Sequence, residues 1–265
     1  EYCARVPVHT VTRAIGMEGD NALLFRNALM RSQGVGQTSR EEAADANRLV
    51  YSMLHDLIAE RRTNPAEDVV SGLIGATLKL PDGTERPLND DEIANNARLV
   101  MVAGGGTSWR QFGILLWALL THRDQLEALR EDRTLFDAAF EESVRWNVTA
   151  SMFNRISSED VELEGVELKK GTVVELWTAS ANRDPSRWDR PDEFDLHRKF
   201  IPHVGFGIGQ HQCLGMNVAR TELGVGLNAL LDAFPALRLD PDAPEPYLTG
   251  GLEQRGMSSL HVLLR

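Results

Sequence analysis

The chain has 265 residues, 42% hydrophobic and 25% charged, with 28 basic against 39 acidic side chains and a net charge of −11. That is enough sequence for one large core or two small ones, and the acidic balance argues against nucleic acid as the main partner. Two cysteines make no disulfide framework, no secretory leader is recognisable, and the longest apolar run, Phe112 to Leu120, is too short to cross a bilayer, so a cytoplasmic protein with no membrane segment is expected.

The chain opens on Glu1, not Met, and runs straight into Tyr2, Val6, Val8 and Val11, as a piece cut from something longer would. The first half reads as helical. A short helix over 1–15 is followed by one over 20–30, and the Gly/Gln/Ser stretch 32–39 predicts a mobile loop. A long amphipathic helix is predicted over 41–62, with Tyr51, Leu54 and Ile58 at spacings of three and four. Residues 80–88 carry a Pro-Asp-Gly turn and read as a small hairpin. Asn89, followed by Asp90, Asp91 and Glu92, opens a helix that runs to about His122 and would be ~45–50 Å long. Two helices follow, over 123–130 and 135–146. Beyond Trp146 the pattern alternates, with strands at 161–163, 166–168 and 172–176. Residues 183–202 are irregular, 214–234 are helical, and 258–264 read as a strand. There is no internal repeat. The sum is mainly α with a small β region, without the alternation of a parallel α/β sheet.

One thiol, Cys213, sits in the glycine-rich stretch Phe206-Gly-Ile-Gly-Gln-His-Gln-Cys-Leu-Gly215. A lone cysteine is most often a buried core residue. Zinc is a weaker reading, because His211 and Cys213 alone cannot close a tetrahedral site. The glycines favour a functional reading. Gly207, Gly209 and Gly215 let the backbone turn sharply and approach something flat. Amides released by the turn, and the dipole of the helix that follows, can stabilise a thiolate. Such an electron-rich sulfur suits an axial iron ligand.

The order Phe206-x-x-Gly209-x-His211-x-Cys213-x-Gly215 resembles the haem-binding loop of the cytochrome P-450 family of haem-thiolate monooxygenases, matching at all five fixed positions. The resemblance implies haem b, with Cys213 as its iron ligand, His211 at a propionate and Phe206 beside the sulfur. Gly207, Gly215 and Ala219 fall at further cofactor-binding positions. Glu142-Ser-Val-Arg145 resembles the family's Glu-x-x-Arg helix. Residues 192–198 resemble the segment that supplies its partner, so Glu142, Arg145 and Arg198 are implied as a structural triad. Arg155, ten residues after Arg145, falls where a propionate-binding arginine is common. Ala181-Asn-Arg-Asp-Pro185 resembles the turn after the family's small helix.

Three glycines, Gly104 to Gly106, lie inside the longest helix, where each could cost up to ~1 kcal/mol relative to alanine. A phosphate loop is one rival reading, but no Gly-Lys-Ser/Thr follows and no strand precedes. Close helix packing is the other. In the family the central helix loosens at this place and passes over the haem. Ala103, Gly104, Thr107 and Ser108 match the pattern, which places Ala103, Gly104 and Thr107 at the cofactor and gives Thr107 the catalytic role. The chain departs at the acid position, which is Gly106, and no Asp or Glu lies between Ile93 and Leu120. In the family an acid–alcohol pair carries protons to the oxygen being activated. Here water or a polar group from elsewhere completes that relay, or turnover is slow or atypical.

The resemblance covers all 265 residues in order and implies a cytochrome P-450 fold lacking its N-terminal portion. A single haem-binding domain fragment is expected: a helix-rich core over 1–147, a small β region and meander over 148–202, the cysteine-ligand loop and following helix over 203–234, and a C-terminal β hairpin over 235–265. The implied activity is oxidation of a lipophilic small molecule with dioxygen. Electrons would come from a ferredoxin or flavodoxin-type donor, for which Arg130, Arg133, Lys199 and Arg220 are candidate contacts. Val102, Val148, Ser151, Met152 and Leu252 are the implied substrate pocket. Two alternatives are a haem-thiolate enzyme of rearrangement or coupling, which would explain Gly106, and a catalytically silent partner-binding homologue.

Overall fold

A computed structural model describes residues 2–32 and 39–265. The loop expected over 32–39 lies outside the described residues except at its two ends. The chain divides into two compact units, Glu1–Gly106 and Thr107–Arg265.

The first unit holds α1 (Tyr2–Ile15), α2 (Gly19–Ser32), α3 (Arg40–Thr63), α4 (Val69–Ile74), the hairpin β1 (Thr77–Lys79) and β2 (Glu85–Pro87), and the first half of α5 (Asp90–Thr121). Helix α3 starts where it does because Ser39 and Glu42 form a reciprocal capping box: the Glu42 amide donates to Ser39 Oγ at 3.2 Å and the Ser39 amide to Glu42 Oε2 at 2.9 Å. Asn89 and Glu92 repeat the device at α5, with both amide bonds at 2.9 Å. Caps fix the ends, and burial holds the helices together. Val50, Leu54 and Ile58 of α3 are fully enclosed with Ile15, Phe25, Val70, Ile93 and Ala97 in one cluster. Each large apolar side chain so buried contributes about 1.5–3 kcal/mol, against roughly 1 for a cap. A Cβ on Gly104 would lie 2.6 Å from Val11 Cγ1, and one on Gly105 3.7 Å from Val11 Cγ2. In this unit, therefore, two of the three glycines meet an α1 side chain. Helix α5 is α-helical without interruption, so the loosening implied around Gly104 is not a break in it.

The second unit holds the rest of α5, then α6 (Arg123–Glu131), a 3-10 turn at Arg133–Leu135, α7 (Phe136–Trp146), β3 (Phe153–Ile156), β4 (Val161–Leu163), β5 (Val166–Leu168), β6 (Val173–Leu176), α8 (Thr178–Ala181), a second 3-10 turn at Gly209–His211, α9 (Met216–Ala233), β7 (Arg238–Leu239), β8 (Leu248–Thr249), β9 (Gly256–Met257) and β10 (Val262–Leu263). All pairings are antiparallel and two-stranded: β1 with β2, β3 with β6, β4 with β5, β7 with β10, β8 with β9. Helices α7 and α9 approach closely, since a Cβ on Gly224 would sit 3.0 Å from the Phe136 ring.

Two expectations are corrected here. Strand β3 was not predicted, because Phe153–Ile156 follows directly on the buried segment 148–152 and pairs with β6 twenty residues later. The strand expected over 258–264 is shortened to β10, Val262–Leu263, and the single hairpin over 235–265 is two separate ladders. Gly250 and Gly251 take φ of 95° and 77° and turn the chain, and the Ser258 amide donates back to the Tyr247 carbonyl. Among the described residues no helix is long and apolar enough to cross a membrane.

Candidate functional site

The cysteine loop is closed by its own backbone. Gly207 and Gly209 take φ of 68° and 70°, a left-handed conformation that glycine adopts without a Cβ clash. The Cys213 amide donates to the Phe206 carbonyl at 2.8 Å, the Gly207 amide to Val204 at 2.9 Å and the Gln212 amide to Gly209 at 3.1 Å. Those three amides are used within the loop and are not ones that turn toward the sulfur. The next amides along are those of the first turn of α9, which have no partner within a helix. Cys213 is exposed, so it is not a core cysteine. Among the described residues no three His, Cys, Asp or Glu side chains are placed to share a metal ion. The other thiol, Cys3, is pushed up to about 11 by burial.

The Phe206 ring lies between three groups: Phe140 at 6.1 Å, His203 at 5.8 Å and the Arg220 guanidinium at 5.2 Å. His203 and Arg220 converge on one carboxylate. Glu141 Oε2 lies 3.0 Å from His203 Nε2, and Glu141 Oε1 accepts from Arg220 Nε at 2.6 Å. The Gly205 amide donates to His203 Nδ1 at 3.1 Å, which puts the imidazole proton on Nε2, facing Glu141. Burial pushes the Glu141 carboxyl up, but the hydrogen bonds from His203 and Arg220 and the guanidinium charge outweigh it and hold the group below the usual range. Sequence reasoning missed Glu141 and His203. They are 62 residues apart, and nothing local joins them.

Glu142, the next residue on α7, serves a different segment. Arg145 Nε and Nη2 donate to its two carboxylate oxygens at 2.8 and 2.7 Å, and Arg198 Nε donates to Oε1 at 3.0 Å. The remaining Arg145 donors reach the carbonyls of Asn182, Pro191 and Glu193. Arg198 also donates to the carbonyls of Asp189, Arg190 and Glu193. The irregular segment is thus built around two arginines and one buried carboxylate, with Trp188 lying 5.4 Å from the Arg145 guanidinium. Asn182 adds a further tie through its side-chain oxygen to the Val204 amide at 2.9 Å.

The other predicted residues are placed as follows. Thr107 is half-buried on α5, and one turn on, the buried Gln111 donates to Ser143 Oγ at 3.1 Å and accepts from the Thr149 amide at 3.1 Å. Gln111 was not anticipated; it ties α5 to the segment that carries Val148, Ser151 and Met152, all buried. The Ser151 amide donates to the Leu252 carbonyl at 3.0 Å, so Leu252 lies beside that segment with its side chain partly exposed. Arg155 is exposed on β3 opposite Val174, and its guanidinium donates to the Asn154 carbonyl at 2.8 Å. His211 is exposed, and Ala219 is half-buried in the first turn of α9. Val102, Ala103 and Gly104 belong to the first unit. Three of the four basic candidates are already engaged: Arg130 with Glu127, Arg133 with Asn228 and Asp232, Arg220 with Glu141. Lys199 is exposed and, among the described residues, in no such pair.

A helical protein with small antiparallel ladders and an exposed cysteine in a glycine-closed loop is the class this geometry defines. The family model described as "Cytochrome P-450" matches residues 31–254, and the chain belongs to that family. Cytochrome P-450 105C1 of a Streptomyces species is 38% identical over 262 residues, 98% of this chain and 66% of that protein. The 6-deoxyerythronolide B hydroxylase of Saccharopolyspora erythraea is 35% identical over 224 residues, 84% of this chain and 54% of that protein. The crystal structure of HmtN, a post-tailoring hydroxylase of himastatin biosynthesis, superposes with a TM-score of 0.87 at 32% identity, covering 99% of this chain and 67% of that one. The chain therefore has the cytochrome P-450 fold over about two thirds of the length of such relatives.

Proposed function

We propose that the chain is the haem-binding part of a monooxygenase that oxidises a small lipophilic molecule with dioxygen. The single observation that carries this is Cys213, exposed in a loop closed by Gly207, Gly209 and the Phe206–Cys213 bond, in a chain of this family. The residues present fit haem b. Cys213, His211 and Arg155 all reach solvent, and no carboxylate among the described residues pairs with His211 or Arg155. Imidazole and guanidinium are suited to the carboxylate edge of a porphyrin. Ile208 and Leu214, 75% and 95% exposed, flank the loop, so a flat apolar group seated there removes apolar surface from water. Haem bound there would supply the reductive activation of dioxygen.

In this reading the chain's own residues do the rest. Cys213 holds the iron, with Phe206, Gly207, Gly215 and Ala219 around it and Ala103, Gly104 and Thr107 on the central helix. Thr107 passes protons. Val148, Ser151, Met152 and Leu252, with Val102 on the central helix, are the residues assigned to meet the substrate, most of them apolar. A ferredoxin or flavodoxin-type protein supplies electrons. The two named relatives that are hydroxylases support insertion of oxygen into a small substrate.

Gly106 supports a second reading, a haem-thiolate rearrangement or coupling enzyme, because glycine stands where the family pattern has an acid. Isotopic oxygen separates the two. With haem, a reducing partner and labelled dioxygen, the monooxygenase reading predicts one labelled atom in the product. Turnover with no label in the product would support the second reading instead.

A further inference from the structure

We propose that Glu141 is a positioning residue for the cysteine loop: by gripping His203 and Arg220 from one carboxylate, it holds the Phe206 ring in place, and with it the carbonyl that fixes Cys213. The argument starts from adjacent acids on one helix. Glu142 faces the irregular segment and is consumed by Arg145 and Arg198. Glu141 faces the loop and meets neither of them. It lies 3.0 Å from His203 and 2.6 Å from Arg220, groups that come from either side of the loop. His203 stands three residues before Phe206, and Arg220 seven residues after Cys213.

Both cations-or-donors lie against the same ring, at 5.8 Å for the imidazole and 5.2 Å for the guanidinium. The imidazole is also fixed from behind, by the Gly205 amide at 3.1 Å. A Cβ on Gly205 would meet Val144 Cγ1 at 2.5 Å, so the backbone here is pressed onto α7 itself. The Phe206 carbonyl takes the Cys213 amide at 2.8 Å. Movement of the ring therefore moves the carbonyl that anchors the thiol. Charge-assisted bonds are the strong ones, and this carboxylate, 14% exposed, makes two. Other groups face the cluster: Asn217, which accepts from Arg220 at 2.9 Å, Asp137 and Cys213, which lie close enough to act electrostatically on Arg220, and Phe140 on the far side of the ring.

That the loop so held binds iron rests on the reading above, while the mechanical claim does not, and the test separates them. Amide hydrogen exchange is measured on the chain without haem, in the parent and in Glu141→Gln. Exchange at Cys213 should quicken by about tenfold or more, with the β3–β6 amides unchanged. Phe206→Leu should quicken Cys213 as well, and adding Glu141→Gln to it should do little more. An unchanged Cys213 rate, an equal rise across the whole second unit, or additive effects would overturn the proposal. Should Glu141→Gln fail to fold, Arg220→Gln, at the exposed end of the cluster, is read the same way. With haem supplied, the reduced carbonyl complex of Glu141→Gln should show a larger share without the strongly red-shifted Soret band than the parent. An equal share would overturn the link to the sulfur. A parent with no such band would instead sink the haem reading, leaving the exchange result to stand on its own.

Discussion

Single side chains in this protein carry predictions of opposite legibility. Gly104 is one that the sequence marks but does not explain. Alanine there gains up to ~1 kcal/mol of helix propensity, yet its Cβ would lie 2.6 Å from a methyl of Val11, a stiff β-branched side chain. Overpacking of this kind costs about 1–3 kcal/mol, so Gly104→Ala should lower stability in denaturant melts. Val11→Ala in the same chain should recover most of the loss; no recovery would mean that the strain lies elsewhere. The two thiols give a second case. Cys3 is held protonated by burial, at about 11, whereas Cys213 is exposed. At pH 8 roughly one Cys3 in a thousand is thiolate. Iodoacetamide followed by peptide mapping should label Cys213 well before Cys3. Cys213 was legible because its neighbours are local in sequence, three glycines and a histidine within ten residues. Glu141 and His203 were not, because their meaning lies in a contact across the fold.

Elements show the same division. The long helices were read to within a few residues because their signals are local: Ser39 with Glu42, and Asn89 with Glu92, announce α3 and α5 in the sequence itself, whereas the six-residue α4 was not read. Strand β3 and the two C-terminal ladders were not read, because two to four residues carry little pattern and their partners are distant. Helix α7 is joined to the irregular segment by Arg145, all five of whose donors are satisfied and whose side chain is 1% exposed. Arg145→Ala leaves the Glu142 carboxylate to Arg198 and the Asp195 amide and strands the buried carbonyls of Asn182 and Pro191, at a cost of about 3 kcal/mol. Chemical denaturation should show that loss; a loss under 1 kcal/mol would contradict the buried network. At the start of α5, hydrogen bonds from Arg86 and the Asn89 amide bring the Glu92 carboxyl down to about 2. A depressed carboxyl contributes stability above its unfolded value near 4.3, lost as pH falls toward about 2. Glu92→Gln keeps the cap without the charge. Over pH 5 to 2, its urea midpoint should fall less than the parent's.

At the scale of the whole molecule, the chain is two compact units whose boundary falls inside α5, between Gly106 and Thr107. The composition argued against nucleic acid as the main partner, and the ordered motifs pointed to the family before any contact was known. What composition could not give is the electrical state of the surface. Arg130, Arg133 and Arg220 count as free cations in a sequence, but each is paired in the fold. An acidic electron donor would therefore meet less positive charge than the residue types suggest, and salt should slow its association only weakly. The central claim is that Cys213 ligates haem iron. The measurement that tests it most directly is the absorption spectrum of the chain with haem supplied, reduced and exposed to carbon monoxide, beside that of Cys213→Ser. A strongly red-shifted Soret band in the parent, absent from Cys213→Ser, is the predicted result. No such band in the parent, or the same band in both, would contradict it.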